Sequence, residues 1–394
     1  MPGSGNGPAM SLRTEELEAT LQPLERATML PPAAFLDRSV LDWELANVFA
    51  GGWICAGHAS AVAEPGAYVS HEVGDQSFLV VGGEDGVPRA FHNVCRHRGS
   101  RLVEEPEGKV RRRIQCPYHA WSYDLEGGLR AAPHMDGIEG FQPECYGLVE
   151  IACREVGGLL MVDLSGEAGP AEDHLGDLLP HLDHHSNARL RRGGILTYEV
   201  AANWKGIAEN YNECLHCPGV HPELNALSNY MSGEGIYGEG AWCGGSMTLT
   251  GEGAGTMGKG GGHATSRPPI ATLEESDLPN ILYFALFPNA LVSLHPDYAM
   301  LHTLWPREPG RTDVSCEFFF EPETIARPDF DPSDAIGFWD QTNREDWHVC
   351  ELAQKGVASA GYSPGRYSAE ESDTHAFDSM VAARYAEGLR EVVA

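Results

Sequence analysis

Hydrophobic residues follow two different patterns along the chain. Between about residues 51 and 165, short runs such as GAYVSHEV, SFLVVGG and GLLMVDL alternate with Gly and Asp turns, which predicts a compact antiparallel β domain. After the segment SGEAGPAEDH, whose composition is typical of a linker, strand-like runs such as NILYFALFPNALVSLH are mixed with helical periodicity. The two patterns together predict an α+β protein with two domains.

These patterns divide the chain into three segments. Residues 1–44 form an N-terminal arm that we expect to be partly disordered and then helical, because TEELEATLQPLERA begins with a Thr cap and acidic residues. Residues 45–165 form the β-rich domain, and residues 166–394 form the mixed domain. The candidate chemistry lies in the second and third segments.

Three stretches of the mixed domain have a distinct pattern. Helices are predicted over residues 205–216 and from Ser333 to Gly356. Residues 231–262 are rich in glycine. This composition is typical both of a flexible surface insertion and of an active-site lid, and the sequence does not decide between them.

Composition and charge narrow the class of protein. The chain of 394 residues is 42% hydrophobic and 21% charged, as in ordinary globular proteins. It has no apolar run of membrane-spanning length and no signal peptide at its start, so a cytoplasmic protein without a membrane partner is expected. A net charge of −30 argues against a nucleic-acid partner. In a reducing compartment, clustered Cys and His residues are expected to bind metal, and the ten cysteines are not expected to form disulfides.

Two short Cys–His motifs stand out in the β-rich domain. The stretches CRHRG and CPYHAWSYDLEG supply Cys95, His97, Cys116 and His119. Two thiolates and two imidazoles can hold a [2Fe–2S] cluster, with the thiolates on one iron and the imidazoles on the other. The same four ligands are also compatible with a zinc ion.

A second group of potential ligands lies in the stretch ENYNECLHCPGVHPEL. In a helix over 205–216, Glu209, Glu213 and His216 share one face, and the Pro-Gly pair that follows ends the helix and allows His221 to fold back. Two histidines and one carboxylate on one face are the ligands with which a mononuclear Fe(II) centre activates O₂. A histidine pair without such a carboxylate is more often structural.

The long C-terminal helix offers the missing carboxylate. Its inward stripe consists of Ile336, Trp339, Asn343, Asp346, Cys350 and Ala353. Asp346 therefore lies among mostly apolar neighbours, where a carboxylate needs a metal, a cation or a hydrogen-bond partner. Glu345 falls off that stripe. The alternative interpretation is a partly solvated acidic helix.

The motifs FHNVCRHRGSRLV, CPYHAWSYDLEGGLRAAP and ENYNECLHCPGVH resemble those of the alpha subunits of Rieske-type non-heme iron oxygenases, over about residues 40–390. The resemblance implies an N-terminal antiparallel-β Rieske domain and a C-terminal catalytic domain with a helix-covered antiparallel sheet. It implies a Rieske [2Fe–2S] cluster on Cys95, His97, Cys116 and His119, and Fe(II) on His216, His221 and Asp346. Glu213 then corresponds to the acidic residue through which electrons pass from cluster to iron.

The resemblance also implies the partners. O₂ is the co-substrate, and electrons come from NAD(P)H through a separate flavin and iron–sulfur reductase. Such proteins form homotrimers in which the cluster of one subunit serves the iron of its neighbour, so His119 would approach Glu213 of the next chain. Most members have Asp where this chain has Glu213. In that difference, and in the tail CELAQKGVASAGYSPGRYSAEE, the chain resembles the branch of the family that oxidises choline, glycine betaine, carnitine and stachydrine.

A quaternary ammonium substrate would be recognised by aromatic ring faces, because its nitrogen cannot donate a hydrogen bond. In a strand over NILYFALF, Tyr283 and Phe287 share one face, and Trp242 could close over a bound cation. Any one of these aromatics more often fills the core than binds a cation. Leu215 also replaces an aromatic residue that is expected in that branch.

Three other functions remain open from the sequence. An oxygenase acting on aromatic rings or aryl methyl ethers has the same two metal sites. A Rieske electron carrier without oxygenase activity would not use the downstream carboxylate and histidines. A zinc hydrolase would leave the N-terminal Cys–His motifs unexplained.

Overall fold

The structure, a computed structural model, describes residues 10–250, 256–259 and 267–393. The described residues form two compact units. One is Phe49–Ala171, and the other combines the residues before Phe49 with those from Glu172 onward. Each unit is built on antiparallel sheet, so the predicted α+β class is confirmed. The disorder expected at the start of the chain falls almost wholly outside the described residues.

Ten strands build the unit Phe49–Ala171. They are β1 Trp53–His58, β2 Ala67–Val73, β3 Gln76–Gly82, β4 Pro88–His92, β5 Glu107–Lys109, β6 Ile114–Gln115, β7 Ser122–Tyr123, β8 Leu129–Ala131, β9 Glu150–Val156 and β10 Leu159–Asp163. Seven of them form a sheet in the order β1-β10-β9-β4-β3-β2-β5, and β6, β7 and β8 form a second, smaller sheet. The core between them contains Leu79, Phe91, Trp121 and Tyr123, together with Cys95 and Cys116.

A buried asparagine fixes the loop that follows β4. The amide nitrogen of Asn93 donates to the carbonyl oxygen of Val103 at 2.8 Å. Its amide oxygen accepts from the backbone N–H groups of Leu102 and Val103 at 2.9 and 3.1 Å. Because these bonds satisfy backbone groups that the sheet leaves unpaired, the loop carrying Cys95 has a defined conformation.

The second unit contains a larger sheet covered by helices. Its strands are β11 Arg191–Val200, β12 Glu234–Ile236, β13 Trp242–Thr248, β14 Asn280–Leu286, β15 Ala290–Leu294, β16 Ala299–Glu308 and β17 Arg311–Phe320, in the order β11-β17-β16-β15-β14-β13-β12. The helices of the chain are α1 Thr14–Thr20, α2 Pro32–Leu36, α3 Arg38–Glu44, α4 Ala171–Leu175, α5 Leu178–His184, α6 Trp204–Tyr211, α7 Cys217–Val220, α8 Pro222–Leu227, α9 Pro322–Ile325, α10 Ser333–Val357 and α11 Ser372–Val393. Helix α6 packs on α10 and on α11, and all three helices pack on the sheet.

The glycine-rich stretch contains regular structure. Strands β12 and β13 pair with each other, and β13 pairs with β14, so this stretch extends the sheet by two strands. A Cβ atom at Gly244 would collide with the carbonyl oxygen of Tyr283, so glycine permits this close pairing. The expectation of a flexible insertion or a lid is therefore wrong for residues 234–248, and residues 251–255 and 260–262 lie outside the described part of the chain.

The N-terminal segment joins the second unit through a buried ion pair. Lys205 Nζ lies 2.6 Å from Glu44 Oε1, and both side chains are buried. Glu44 also accepts hydrogen bonds from the indole of Trp204, at 3.0 Å, and from the hydroxyl of Tyr385. Removing one partner of such a pair leaves an uncompensated charge and costs about 3–5 kcal/mol. Glu44 thus fixes the start of α6 against α11.

A buried pair of acidic side chains, Glu209 and Asp378, also joins α6 to α11. Glu209 interacts directly with Asp378, and neither Glu209 Oε1 nor Asp378 Oδ1 has a hydrogen-bond donor among the described residues. Burial, followed by the charge of Asp378, raises the pKa of Glu209 well above its usual range. Burial also raises the pKa of Asp378 to about 7, although Tyr367 donates to its other oxygen at 2.6 Å. A proton held between the two carboxyl groups satisfies both.

This pair makes the stability of the second unit depend on pH. Because the pKa of Asp378 is higher in the folded than in the unfolded state, its contribution is complete below the unfolded pKa and is lost as the pH rises through about 7. We expect the free energy of unfolding to fall between about pH 4 and pH 7, and Asp378→Asn to reduce that slope. Urea denaturation at several pH values measures it, with the exposed Asp183→Asn as control. An unchanged slope in Asp378→Asn would contradict the shared proton.

Candidate active site

The region around His216 differs from the predicted helix. Helix α6 ends at Tyr211, so Glu209, Glu213 and His216 do not share a helical face, and that prediction is wrong. The side chain of Asn212 turns back to bond the carbonyl oxygen of Ala208 at 2.9 Å, which competes with continuation of the helix. Two short helices, α7 and α8, follow, and each has a proline within its first two positions. The Pro-Gly pair therefore starts a helix rather than ending one.

Three potential metal ligands converge at this point. His216 lies immediately before α7, and His221 lies between α7 and α8. Asp346 reaches the same point from α10. One ligand atom from each of the three lies within 4.8 Å of the others. Asp346 Oδ1 is 2.7 Å from His221 Nε2 and 3.3 Å from His216 Nε2.

The other nitrogen of each histidine is held by a second carboxylate. His216 Nδ1 lies 2.6 Å from Glu213 Oε1, and His221 Nδ1 lies 2.7 Å from Glu345 Oε2. These bonds place both Nε2 atoms toward Asp346 and fix the ring orientations. Glu345 lies beside the predicted stripe and is not among the predicted site residues. The feature of the sequence that could have indicated it is the pair Glu345-Asp346, in which Asp346 can bind a metal and Glu345 can hold a ligating histidine.

The neighbouring carboxylates raise the pKa of both histidines. Burial alone would lower the pKa of His216, but its hydrogen bonds to the carboxylates of Asp346 and Glu213 outweigh burial and raise the pKa to about 9. The pKa of His221 is raised in the same way, against its burial, mainly by Asp346. Burial would raise the pKa of Asp346, but the two histidines lower it. A metal ion at this point would replace the protons on both Nε2 atoms.

The ligand set fits a mononuclear iron ion. Two imidazoles and one carboxylate approach from one side, as in non-heme Fe(II) oxygenases. The side chain of Asp346 is 17% exposed, and the three ligands line a cavity that leaves room for further ligands. Helix α10 matches its predicted bounds to within one residue, so the prediction of a long helix is confirmed, although Ala353 at the end of the predicted inward stripe is exposed.

The cavity beside these ligands is small and mostly apolar. It encloses about 90 Å³, below the usual range for sites that bind drug-sized molecules. Its lining consists of Asn210, Tyr211, Glu213, Cys214, His216, Cys217, His221, Leu224, Met247, Met257, Ile281, Tyr283, Ser293, Trp339, Thr342 and Asp346. The site therefore suits a small ligand with an apolar surface.

Of the three aromatic residues predicted to contact a substrate, one lines the cavity. Tyr283 lines the cavity. Trp242 does not, because its ring packs edge-on against Phe284 and its indole donates to Glu239 at 2.9 Å. Phe287 lies beyond the end of β14, near the ring of Trp204, so it does not share a strand face with Tyr283. The structure thus corrects the expected positions of Trp242 and Phe287.

A disulfide between Cys214 and Cys217 flanks His216. The two Cα atoms are 5.0 Å apart, because the turn between α6 and α7 folds the chain back on itself. The expectation that the cysteines would not form disulfides is wrong at this position. Both residues line the cavity.

The two Cys–His motifs lie on neighbouring loops of the unit Phe49–Ala171. Cys95 and Cys116 are buried, whereas His97 is exposed and His119 is partly exposed. The two imidazole rings lie edge to face, with their centroids 4.7 Å apart. Buried thiolates and outward imidazoles are an arrangement in which a Rieske cluster can be held with its histidine-bound iron near the surface.

Aromatic side chains contact the residues of both Cys–His motifs. The hydroxyl of Tyr123 lies 3.3 Å from Cys95 Sγ, and the ring of Trp121 stacks on His97 with centroids 4.7 Å apart. Burial raises the pKa of Cys95. At Cys116 burial is outweighed by backbone N–H groups, and the pKa is lowered. Such donors stabilise a thiolate that binds iron.

Comparison with known proteins identifies two domains in the chain. Residues 187–387 match the catalytic domain of the ring hydroxylating alpha subunit, and residues 52–142 match the Rieske [2Fe-2S] domain. The chain belongs to the ring hydroxylating alpha subunit family of Rieske oxygenases. This Rieske oxygenase therefore carries a Rieske [2Fe–2S] cluster and a mononuclear iron, and it incorporates oxygen from O₂. The alternatives of an electron carrier and of a zinc hydrolase are wrong.

Similar proteins include two curated relatives and a solved structure. The glycine betaine monooxygenase oxygenase subunit of Chromohalobacter salexigens is 31% identical over 86% of this chain and 81% of its own length. The carnitine monooxygenase oxygenase subunit of Escherichia coli K12 is 29% identical over 88% and 89%. The quaternary ammonium Rieske monooxygenase CntA, described with carnitine oxidation by gut microbiota and inter-subunit electron transfer, matches with a TM-score of 0.79 and 25% identity over 95% and 99%.

These findings also bear on the partners. An oxygenase subunit works in a multicomponent system, so this Rieske oxygenase needs a reductase and a small-molecule substrate. No helix in the described ranges combines the length and the apolar character that a membrane span requires.

Loss of one cluster thiol gives a direct test of the first site. In Cys95→Ser a hydroxyl replaces a thiolate that is buried in the core, so we expect loss of the visible absorption of the cluster and of about two irons per chain. Absorption spectra and iron analysis measure both. Cys153→Ser, which changes another buried free cysteine of the same unit, serves as control and should keep the cluster. A normal spectrum for Cys95→Ser would contradict this ligand assignment.

Proposed function

We propose that this Rieske oxygenase hydroxylates or N-demethylates a small quaternary ammonium compound. The observation that carries the proposal is the aromatic and methionine lining of the cavity beside His216, His221 and Asp346. The relatives named for glycine betaine and carnitine, both quaternary ammonium compounds, support it.

The aromatic side chains of the cavity offer ring surface rather than hydrogen bonds. The rings of Tyr211 and Tyr283 stand nearly perpendicular, at 83° with centroids 6.3 Å apart. The hydroxyl of Tyr211 donates to the carbonyl oxygen of Val292 at 2.9 Å, and the indole of Trp339 donates to the hydroxyl of Tyr298 at 2.7 Å. A quaternary nitrogen needs no hydrogen-bond acceptor and is attracted by ring faces. Tyr211, Tyr283 and Trp339 therefore form the recognition surface of the proposed site.

We propose the following roles for the site residues. His216, His221 and Asp346 bind Fe(II), which when bound activates O₂ for attack on a substrate C–H bond. Glu213 and Glu345 hold the Nδ1 protons of the two histidines, so that both Nε2 atoms face the metal. Glu213 is also the acidic residue on which electron delivery depends. The ligands of the Rieske cluster are Cys95, His97, Cys116 and His119.

For an N-methyl substrate the reaction is balanced as follows. One atom of O₂ is inserted into a C–H bond of a methyl group, and the other is reduced to water by two electrons and two protons. The hydroxymethyl product then breaks its C–N bond and releases formaldehyde, a proton and the tertiary amine. The electrons come, in this proposal, from an NAD(P)H-dependent flavin and iron–sulfur reductase.

We further propose a homotrimer in which electrons pass between subunits. The imidazoles of the cluster loops lie at the surface of their unit, and Tyr118 beside His119 is also exposed, so a neighbouring subunit can approach them. The inter-subunit electron transfer described for CntA supports this arrangement. In the proposed trimer His119 of one chain lies near Glu213 of the next.

The proposed domain limits follow the sequence analysis. Residues 1–44 form an N-terminal arm, residues 45–165 the Rieske domain and residues 166–394 the catalytic domain. The ion pair between Glu44 and Lys205 ties the arm to the catalytic domain. We propose that the protein acts in the cytoplasm, where NAD(P)H is available.

The proposal is tested by coupled turnover. The iron-reconstituted protein is supplied with a surrogate reductase and NADH, and O₂ uptake and formaldehyde are measured with quaternary amines, aromatic acids and aryl methyl ethers. Formaldehyde or a hydroxylated product from a quaternary amine, in proportion to O₂, is expected. Asp346→Ala serves as the inactive control. Turnover of aromatic substrates alone would retain the oxygenase and overturn the quaternary ammonium proposal.

A further inference from the structure

The disulfide between Cys214 and Cys217 lies in the wall of the cavity that contains the three iron ligands. Cys217 Sγ is 4.0 Å from His216 Nε2, the histidine nitrogen that faces the metal. The other eight cysteines, all of them in the described ranges, are not in disulfides. The cross-link of this chain therefore stands directly beside the site at which O₂ is activated.

This disulfide adds little to the stability of the turn that carries it. Its two residues are three positions apart, and the stabilisation by a cross-link is smallest for the shortest loops. The turn is also held without it, because the N–H of Cys217 donates to the carbonyl oxygen of Cys214 at 3.0 Å and Glu213 holds the ring of His216 at 2.6 Å. In a cytoplasm, the compartment proposed above, disulfides are usually transient and serve catalysis or redox sensing. A reversible role therefore fits this bond better than a structural one.

The two sulfur atoms are unequally accessible. Cys214 is partly exposed, whereas Cys217 is 2% exposed. The spacing of two intervening residues is that of redox-active dithiols, and the Cα separation of 5.0 Å allows the bond to open and close without movement of the backbone. Cys214 is thus the thiol that an oxidant reaches first, and Cys217 is placed to react with the oxidised product.

The oxygenase reaction supplies an oxidant at this position. When O₂ takes up two electrons and two protons without attack on a substrate, the product is H₂O₂. Peroxide converts a cysteine thiol to a sulfenic acid and water, and a second thiol condenses with the sulfenic acid to give a disulfide and water. Met247 and Met257 also line the cavity, and a thioether is oxidised to the sulfoxide under the same conditions.

We infer that Cys214 and Cys217 form a redox-active pair that consumes H₂O₂ released in the cavity by uncoupled turnover. The thiol of Cys214 takes one oxygen atom from H₂O₂ and releases water, and a second water leaves as the S–S bond to Cys217 forms. The pair gives up two electrons and two protons, and one H₂O₂ becomes two molecules of water. A cytoplasmic dithiol restores both thiols by exchange. The inference rests on the oxygenase activity and not on the quaternary ammonium substrate.

Thiol labelling of the holoprotein tests the chemistry. The folded protein is treated anaerobically with dithiothreitol, freed of the reagent, denatured, labelled with iodoacetamide and digested with trypsin, which releases one peptide from Gly206 to Lys259. We expect labels on Cys214, Cys217 and Cys243, the third cysteine of that peptide and a free thiol. One equivalent of H₂O₂ added before denaturation should remove the first two labels and leave the label on Cys243. A bond that resists dithiothreitol in the folded protein, or thiols that H₂O₂ leaves unlinked, would overturn the inference.

Uncoupled turnover tests the source of the oxidant. The reduced protein is supplied with a surrogate reductase, NADH and O₂ but no substrate, with catalase present to remove peroxide from bulk solution. The labels on Cys214 and Cys217 should be lost in the wild type and retained in Asp346→Ala, from which the iron is expected to be missing. Retention in both proteins, or equal loss in both, would show that the pair does not react with peroxide formed at this site. Because no substrate is added, failure of the quaternary ammonium proposal does not affect this result.

A cysteine variant tests what the pair protects. Cys214→Ser cannot form the bond, so during uncoupled turnover in dithiothreitol we expect sulfoxide on Met247 and Met257 to accumulate at least about threefold faster than in the wild type, as measured by mass spectrometry. Cys243→Ser, which changes a cysteine outside the cavity lining, should match the wild type. Equal sulfoxide formation in Cys214→Ser and wild type would contradict consumption of peroxide inside the cavity. If Cys214→Ser does not fold, the two labelling experiments on the wild type decide.

Discussion

Asp346→Ala is expected to abolish oxygenation while the Rieske cluster stays intact. Asp346 supplies the carboxylate that lies 2.7 Å from His221 Nε2 and 3.3 Å from His216 Nε2. Without it, two neutral imidazoles remain, and a hard Fe(II) ion is held much less tightly. Iron content should fall by about one atom per chain, and the visible absorption of the cluster should not change. Iron analysis, absorption spectra and coupled O₂ uptake measure the three effects.

The control for this variant lies on the same helix. His348 is exposed on α10, so His348→Ala should keep the iron content and the turnover of the wild type. Loss of the cluster absorption in Asp346→Ala would mean that the substitution disturbs the fold as a whole. Full turnover in Asp346→Ala would show that another carboxylate binds the iron.

Glu213→Gln is expected to slow turnover by about 100-fold with both metal centres in place. The amide can still accept a hydrogen bond from His216 Nδ1, which Glu213 holds at 2.6 Å, so the ring keeps its orientation. The substitution removes the negative charge of residue 213, which lies beside the Nδ1 side of His216, away from the metal. The reduced cluster should then be reoxidised slowly when substrate and O₂ are added, and stopped-flow absorption measures that rate.

The other histidine supplies a matched comparison. Glu345 holds His221 at 2.7 Å, as Glu213 holds His216, so Glu345→Gln changes the charge at an equivalent position. If Glu213 serves electron delivery, Glu213→Gln should slow reoxidation of the cluster well beyond Glu345→Gln. Equal effects of the two substitutions would contradict a special role for Glu213 and leave both residues as supports for the ligands.

The sequence predicted the long helix and the position of Asp346 well. Helical periodicity over a stretch as long as α10 is a strong signal, and a carboxylate on its inward side needs a partner. Glu345 could not be found in that way. It is adjacent to Asp346 in sequence and off the inward stripe, and its role depends on His221, a residue far away along the chain.

The region before His216 shows where local patterns fail. The residue pattern predicts a helix over 205–216. Helix α6 instead ends at Tyr211, because the side chain of Asn212 forms a hydrogen bond back to the helix. The disulfide between Cys214 and Cys217 was also missed, since the compartment argued against it. Both features depend on the turn geometry of a few residues, which periodicity does not report.

The aromatic residues were predicted least well. Tyr283 lines the cavity, but Trp242 and Phe287 pack in the interior, and Tyr211 and Trp339 take their place in the lining. The alternation of residues in a strand shows which aromatic rings share a face of the sheet. It does not show which face lines a cavity. That depends on how α6 and α10 cover the sheet, which is a property of the tertiary fold.

The pairing of Glu44 with Lys205 gives the first residues of the chain an influence on the catalytic cavity. A shortened protein that begins after Glu44 would leave a buried ammonium at the start of α6, and the lysine would have to release its proton or move toward water. Either change disturbs the helix whose last residue, Tyr211, lines the cavity. Substrate recognition would therefore be sensitive to trimming at an end of the chain that contributes no residue to the cavity lining described here.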